Sequence, residues 1–402
     1  MKVSNVRLNE TKSHVILSAK CKVRRVGSDE VYFKVPIKYR YFVHADASPF
    51  AAALLLPSMK QNEDLIIEGP ISKQLLDGMH NIMEIVSGWG IGLKPIKIRA
   101  DKIVEDTLKP SGVATTFSGG VDSFYTYYKH KNDPKNPITH MVLVNGFDID
   151  PSNKNLWAQT LQNVKAIAAE EGANLIEVES NIRPLIHPIL SWDYSHGGCL
   201  AAVGLYLRKG LKLLYIPSTY TIEQQFPWGS HFDIDHYWST ETLKLIHDSA
   251  EVSRVNKVSQ IAKSPAAIKY LRVCYMNEKG AYNCGKCDKC LRTMINLYIA
   301  DALNKSETFP HKIDRNIVAR LPIEGEHGAI FHKENLAALQ ERNLVPDLQE
   351  ALSMSLRNVT DNSTSLRQQI INNVIYLDHV YARNSVYNMA ARIFSKKLNR
   401  NN

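Results

Sequence analysis

The strongest chemical signal in this chain lies at residues 117–123, where the sequence reads FSGGVDS. The apolar run from Val113 to Phe117 predicts a buried strand, and the segment from Asp122 to Lys131 predicts the start of a helix. Two adjacent glycines allow a tight turn and let the backbone approach a ligand closely. The unpaired N–H groups at a helix start attract anions. We therefore predict a phosphate-binding turn; the alternative is a turn that only joins a strand to a helix.

A second signal is the spacing of the cysteines. Four of the six follow the pattern C-x9-C-x2-C-x2-C, namely Cys274, Cys284, Cys287 and Cys290. Tight C-x2-C steps let one backbone turn present several sulfurs to one ion, and four thiolates suit tetrahedral zinc. We predict a zinc knuckle, with an iron–sulfur cluster or redox chemistry by Cys284 and Cys287 as alternatives. The remaining two, Cys21 and Cys199, are expected to be buried thiols.

A loop rich in aromatic and polar side chains follows the apolar run at 212–217. Its rings could stack on a flat substrate, and its hydroxyl, imidazole and carboxylate groups could orient that substrate. The candidates for substrate binding are Thr219, Tyr220, Trp228, Ser230, His231 and Asp233. The alternative is a loop whose rings are simply buried.

Three further side chains are candidates for charge chemistry. His196 opens a predicted helix, where its imidazole could donate a hydrogen bond to a phosphate. Arg254 and Lys257 lie one helical turn apart and could steady a phosphate in a transition state. A structural histidine and a solvated helix face are the alternatives.

These candidates fall within residues 106–305, where short apolar runs alternate with helical patterns. Strands are predicted at 113–117, 139–145, 174–178, 212–217 and 270–275, and helices at 153–171 and 196–209. Such alternation predicts an α/β fold with a parallel sheet covered on both faces. Ligands of such sheets bind at the carboxyl ends of the strands, which is where the glycine turn is expected.

Two flanking regions carry no catalytic motif. Residues 1–105 show alternating apolar and polar residues at 13–26 and 30–43, further strand patterns at 64–68 and 95–99, and a helical pattern at 72–86. We predict an N-terminal α+β domain there. Residues 306–402 show helix-period apolar residues at 333–342, 347–357, 365–381 and 386–397. We predict a C-terminal helical region that docks on the core or forms a homodimer interface.

Length and charge set the broad class. A chain of 402 residues suits two or three domains. Its 49 Lys and Arg against 40 Asp and Glu give a net charge of +9, which favours anionic partners such as ATP, pyrophosphate or nucleic acid. The sequence contains no apolar stretch of membrane-spanning length and no signal-peptide pattern. We expect a cytoplasmic protein without a membrane partner.

The string SGGVDS resembles the PP-loop of the ATP pyrophosphatases, which cleave ATP to AMP and pyrophosphate. It is not the Walker pattern, because no Gly-Lys-Ser/Thr follows at the required spacing. Combined with the cysteine spacing and the phrase CGKCDKC at 284–290, the chain resembles the 7-cyano-7-deazaguanine synthase group over roughly residues 112–300. The resemblance implies a PP-loop core of the adenine nucleotide alpha hydrolase type, with ATP, Mg²⁺ and Zn²⁺ as cofactors.

The resemblance further implies an adenylating ligase. A substrate carboxylate would attack the α-phosphate of ATP, pyrophosphate would leave, and ammonia or an amine would then displace AMP. Nucleotide binding falls by motif match to Ser118, Gly119, Gly120, Val121, Asp122, Ser123, Val144, Asn145 and Gly146, with Asp122 also helping to hold Mg²⁺. The candidate catalytic residues are Asp122, Ser123, His196 and Lys257. The carboxylate-bearing substrate stays open between a deazapurine and a macromolecular acceptor.

Two other functions compete with this hypothesis. A PP-loop RNA sulfurtransferase would use cysteines to carry sulfur, which requires two cysteines that are free to react. A non-catalytic zinc-containing protein would bind nucleic acid without using the glycine turn, although the positive charge is spread along the chain.

Overall fold

The computed structural model describes residues 1–24, 27–323, 325–357 and 359. Within these residues the strands are β1 (Lys2–Glu10), β2 (His14–Val23), β3 (Gly27–Pro36), β4 (Leu65–Ser72), β5 (Ile98–Val104), β6 (Gly112–Thr116), β7 (His140–Asn145), β8 (Asn174–Ser180), β9 (Leu211–Pro217) and β10 (Lys244–Asp248). The α-helices are α1 (Ser48–Gln61), α2 (Lys73–Ser87), α3 (Val121–His130), α4 (Lys154–Glu170), α5 (Ile182–Ile186), α6 (Trp192–Leu207), α7 (Arg254–Ile261), α8 (Pro265–Tyr270), α9 (Asp288–Ile299), α10 (Arg315–Ala319), α11 (Gly325–Glu341) and α12 (Pro346–Arg357).

All of these strands join one sheet in the order β10-β9-β6-β7-β8-β3-β2-β1-β4-β5. The pairs from β10 to β8 are parallel, and so are β1–β4 and β4–β5. The pairs β8–β3, β3–β2 and β2–β1 are antiparallel. The fold is therefore α/β with a mostly parallel sheet of ten described strands.

Alternating side chains of the parallel strands enter two separate cores. On β7, Val142 packs into the core that contains α1 and α6, whereas Met141 and Leu143 pack into the core that contains α3 and α4. Successive side chains of a strand point to opposite faces, so a strand buried on both faces is apolar at every position. The prediction of a parallel sheet covered on both faces is confirmed.

Helix α1 packs against α6 and the sheet, and it is buried at every position from Ser48 to Met59. A helix surrounded by protein has no polar face, and for this reason its sequence carried no amphipathic signal. Its contact with α6 is close, since a Cβ atom on Gly198 would lie 2.9 Å from the carbonyl oxygen of Ala52. Glycine at this position allows the two backbones to approach.

The sheet crosses the predicted boundary between residues 105 and 106. Strand β3 of the N-terminal region pairs with β8 through Phe33 and Ser180. Residues from both sides of the boundary also share one hydrophobic core. The domain limits 1–105, 106–305 and 306–402 stay a prediction.

Most predicted elements are found, with three corrections. The strand pattern at 30–43 ends at Pro36, and Ile37–Phe42 forms a 3₁₀ helix. The helix predicted to open at His196 begins at Trp192, so His196 lies in its second turn. Four of the five strands predicted in the central region are β6, β7, β8 and β9, whereas Tyr270 ends helix α8 and 271–275 is irregular. The fifth parallel strand is β10, which the sequence pattern did not reveal. The predicted helices at 333–342 and 347–357 are α11 and α12, and those at 365–381 and 386–397 lie outside the described residues.

Among the helices of the described residues, none is both long enough and apolar enough to cross a membrane.

Candidate functional site

The glycine turn has the predicted strand–turn–helix form. Gly119 adopts a φ of 76°, a conformation that favours glycine, and its carbonyl accepts a hydrogen bond of 2.9 Å from the backbone N–H of Arg272. Gly120 is the N-cap of α3, and its carbonyl accepts a 2.9 Å hydrogen bond from the Ser123 hydroxyl. The Ser118 hydroxyl makes no hydrogen bond with a described residue. The turn is thus fixed by its backbone and leaves one hydroxyl available to a ligand.

The first turn of α3 is paired with two cations of α7. The Asp122 carboxylate accepts a 3.0 Å hydrogen bond from Arg254 through Oδ2, and its Oδ1 lies 3.5 Å from the Lys257 ammonium. Lys257 also donates to the Ser218 carbonyl over 2.7 Å. Its side chain is fully buried, and desolvation lowers its pKa against the opposing effect of Asp122. The predicted residues Asp122 and Lys257 therefore do meet, and the Lys257 ammonium lies between the Asp122 carboxylate and the Ser218 carbonyl.

The second predicted nucleotide segment lies beside the turn at the same sheet edge. Asn145 ends β7, the parallel neighbour of β6, and its buried Oδ1 accepts no hydrogen bond from any described residue. Gly146 has a φ of 98°, and a Cβ there would lie 2.1 Å from the Ser180 carbonyl oxygen. The segment Val144–Gly146 and the glycine turn are thus brought together at the carboxyl ends of adjacent strands, as this sheet type favours.

Two of the predicted substrate residues, Tyr220 and Trp228, belong to one group of rings. Tyr220 lies 5.7 Å from Trp228 and 4.7 Å from Phe226 between ring centroids, both edge to face. Tyr220 also stacks on Phe331 of α11 at 5.0 Å. Burial raises the pKa of Tyr220 to about 12, with the nearby charges of Arg292 and Arg254 acting in the opposite direction.

Phe331 and His327 were not found by sequence reasoning. His327 stacks on Phe226 with ring centroids 3.4 Å apart, so α11 contributes two rings to this group. They lie about a hundred residues after the loop, and no spacing rule connects them to it. The C-terminal helices were expected only to dock on the core or to form a dimer interface, yet α11 forms part of this group of rings.

His196 stands at the other end of the same group of rings, 5.5 Å from Trp228. Its Nδ1 lies 2.9 Å from the backbone carbonyl oxygen of Trp192, and a nitrogen facing a carbonyl must carry the hydrogen. Desolvation lowers the pKa of His196, so the neutral form dominates at neutral pH. In this tautomer Nε2 is an acceptor, and it cannot donate to a phosphate as predicted unless it gains a proton.

The other predicted substrate residues contact different partners. Ser230 donates to Asp235 over 2.5 Å, and the same carboxylate accepts a 2.8 Å hydrogen bond from His247. The ring of His231 lies 5.2 Å from that of Trp89. Asp233 borders a cavity of about 490 Å³ beside β10. The group formed by Tyr220 and Trp228 therefore does not include Ser230, His231 or Asp233. Thr219 lies between Ser218 and Tyr220, and its side chain makes no hydrogen bond to a described residue.

The four clustered cysteines converge as predicted. Their sulfur atoms all lie within 4.8 Å of one another, and this group could hold a zinc ion. Backbone N–H groups of Asn277 and Cys287 point at the sulfurs of Cys274 and Cys284 over 3.2 and 3.3 Å. These donors stabilise negative charge on sulfur, which fits thiolate ligands, and Cys21 and Cys199 are buried elsewhere as expected.

Helix α9 connects the cysteine cluster with the group of rings. Cys287 is the N-cap of α9, and the first turns of this helix carry Asp288 and Arg292. Arg292 lies 3.3 Å from Asp288 and 4.1 Å from the ring centroid of Phe331. Asp288 also accepts from His332 of α11 over 2.6 Å. The cysteine cluster therefore sets the start of a helix that holds α11 in place.

These groups form one chain of contacts at the carboxyl edge of the sheet, with the glycine turn at one end and the His196 imidazole at the other. The rings between them, which we call the wall of rings, are those of Tyr220, Phe226, Trp228, His327 and Phe331. Such an arrangement can bind an anion at a helix start and a flat group along the rings. Comparison of the chain with protein-family models, curated proteins and solved structures found no match.

Proposed function

We propose that this protein is an ATP-dependent adenylating ligase with a PP-loop core. It transfers AMP from ATP to a substrate carboxylate, releases pyrophosphate, and joins the acyl group to ammonia or an amine. The observation that carries the proposal is the turn Ser118–Ser123 at the start of α3, with Asp122 paired to Arg254 and Lys257 of α7. A deazapurine or a macromolecule is the carboxylate-bearing substrate class, and the protein is cytoplasmic.

The chemistry of adenylyl transfer fits the groups present. Pyrophosphate gains charge as it leaves, and fixed donors that face it lower the barrier without a covalent intermediate on the protein. The N–H groups at the start of α3 and the hydroxyl of Ser118 supply such donors. Ser123 holds the Gly120 carbonyl and thereby the shape of the turn. Lys257 joins Asp122 to Ser218 and acts by positioning, since it is fully buried.

Two metals were expected, and the residues fit them differently. The four cysteine sulfurs fit zinc, whose role is to close the loop before α9. Oδ2 of Asp122 accepts the hydrogen bond from Arg254, whereas Oδ1 is buried, has no hydrogen-bond partner among the described residues and lies 3.5 Å from the Lys257 ammonium. Oδ1 is therefore the oxygen that would hold Mg²⁺, which would supply positive charge near the turn together with Arg254 and Lys257.

The decisive experiment measures ATP–pyrophosphate exchange by the purified full-length chain with a panel of carboxylates. Ser118→Ala removes a hydroxyl that makes no hydrogen bond within the described residues, so it tests the turn without loosening it. We expect exchange in the unaltered protein and a roughly 10- to 100-fold loss in the variant. Ser259→Ala is the matched control, because that hydroxyl on α7 is also unpaired.

Three results would argue against the proposal in different ways. ATP binding without exchange for any carboxylate would remove the ligase activity. If the protein contains one zinc per chain but does not bind ATP, the nucleic-acid-binding alternative is favoured. Sulfur transfer would require the clustered cysteines to react, because Cys21 and Cys199 are fully buried.

A further inference from the structure

The two ring nitrogens of His196 have different surroundings. The Nδ1–H group donates to the carbonyl of Trp192 in the preceding turn of α6, at 2.9 Å. No described residue forms a hydrogen bond with Nε2. The ring is partly buried and is held in place by Trp228, and a Cβ on Gly229 would lie 2.7 Å from Nδ1. The imidazole thus has a fixed tautomer, a fixed orientation and a free lone pair.

A chain of contacts connects this lone pair with the glycine turn. Trp228 contacts Tyr220, and Tyr220 stacks on Phe331. The guanidinium carbon of Arg254 lies 5.5 Å from the Phe331 centroid, and Arg254 binds Asp122 at the turn. A ligand held at the start of α3 that extends past the partly buried rings of Tyr220 and Trp228 would have its other end beside His196.

We propose that His196 is the general base that removes a proton from the nitrogen nucleophile in the second half of the reaction, through Nε2. This role rests on the proposed ligase function and replaces the phosphate contact expected from the sequence. In this step the lone pair of the amine forms the C–N bond to the acyl carbon. The C–O bond to AMP breaks and its electron pair leaves with AMP, while the surplus proton of the nitrogen passes to Nε2 of His196.

The surroundings of His196 keep the base unprotonated at neutral pH. Desolvation lowers its pKa, and the hydrogen bond to Trp192 opposes this shift, as do the charges of Asp235, Asp193 and Asp148. Asp193 lies on the same helix, Asp148 follows β7, and Asp235 lies in the segment before β10. A base with a pKa near or below neutral pH combines a free lone pair with enough basicity to act.

The test separates the two half-reactions in the full-length protein. ATP–pyrophosphate exchange reports adenylation, and incorporation of ¹⁵N from ammonium chloride into product reports the second step. We expect His196→Gln to keep exchange within about 2-fold and to lower nitrogen incorporation by about 100-fold. Added imidazole should restore part of the incorporation in His196→Ala. His80→Gln is the control, since His80 makes the same Nδ1 bond to a carbonyl in its own helix but lies exposed on α2.

A pH profile gives a second readout. Because the base must be unprotonated, nitrogen incorporation should fall at low pH, and exchange should not share this acidic limb. Equal loss of both half-reactions in His196→Gln, or an acidic limb that persists in that variant, would overturn the role. NMR of ¹⁵N-histidine-labelled protein tests the geometry alone: a hydrogen on Nε2 in place of Nδ1 also overturns it. Absence of exchange in the unaltered protein would instead count against the ligase function.

Discussion

Asp122 and Arg254 meet at 3.0 Å although 132 residues separate them in the chain. The pair joins the first turn of α3 to the first turn of α7, and Lys257 approaches the same carboxylate from one helical turn further on. One carboxylate therefore serves two cations of which one is fully buried. This relationship makes the glycine turn dependent on helix α7.

Asp122→Asn should destabilise the fold. The change leaves Lys257 buried without a countercharge, and breaking a buried pair costs about 3–5 kcal/mol. Urea unfolding measures this free energy of unfolding. Asp133→Asn is the comparison, because an Asn oxygen still accepts from the N–H groups of Lys135 and Asn136 and little change is expected. Unaltered stability in Asp122→Asn would mean that the three charges do not act as one unit.

Removal of the metal should unfold the loop before α9 and weaken the contact with α11. Elemental analysis is expected to find about one zinc per chain, and Cys290→Ser should lose it with a thermal midpoint lower by roughly 10 °C. Cys199→Ala separates metal loss from the loss of a buried thiol, since Cys199 lies outside the cluster. If the purified protein instead contains iron and shows a visible absorption band, the four cysteines hold an iron–sulfur cluster and not zinc.

Asp248 should give the fold a stability that disappears in acid. Burial raises the pKa of Asp248, but hydrogen bonds from His130 and Ser249 and the charge of Lys129 outweigh it, so the pKa is lowered. As pH falls, the Asp248 carboxyl is therefore protonated in the unfolded chain at a higher pH than in the folded protein. The stabilisation is complete above about pH 4 and declines below it.

Asp248→Asn should therefore cost about 2–3 kcal/mol at neutral pH and less near about pH 3. Urea unfolding at both pH values measures the difference. Glu251→Gln removes the exposed carboxylate that pairs with Lys129, the lysine that also pairs with Asp248, and should lower the free energy of unfolding by less than about 1 kcal/mol. A penalty that does not shrink in acid would show that the ionised carboxylate is not its source.

Gly197→Ala should disturb the loop that carries Trp228. A Cβ on Gly197 would lie 1.8 Å from the Gly229 carbonyl oxygen, so α6 and the loop must separate. Such overpacking costs about 1–3 kcal/mol, and thermal melting would record it. In contrast, Gly328→Ala on α11 meets its nearest atom at 3.5 Å and should stabilise by up to about 1 kcal/mol. Similar effects of the two changes would indicate that the close approach is absent in solution.

Local patterns in the sequence predicted much of the central region. Short apolar runs, such as MVLV in β7 and LLYI in β9, made the strands β6 to β9 readable. Segment 270–275 was mistaken for a strand because a short apolar run has no period that separates strand from helix or coil. Strand β10, with the sequence KLIHD, is polar at three positions: Lys244 is exposed, His247 pairs with Asp235, and Asp248 pairs with His130.

The sequence by itself determined the α/β class, the glycine turn at the start of α3 and the convergence of four cysteines, because each depends on residues that are near neighbours in the chain. Only the tertiary structure decided that Asp122 faces Arg254 and Lys257, that α11 adds Phe331 to the wall of rings, and that Ser230 and His231 turn away from it. The same holds for the tautomer of His196, which its bond to Trp192 sets. Such contacts depend on how helices pack across the sheet, and spacing along the chain carries no record of that packing.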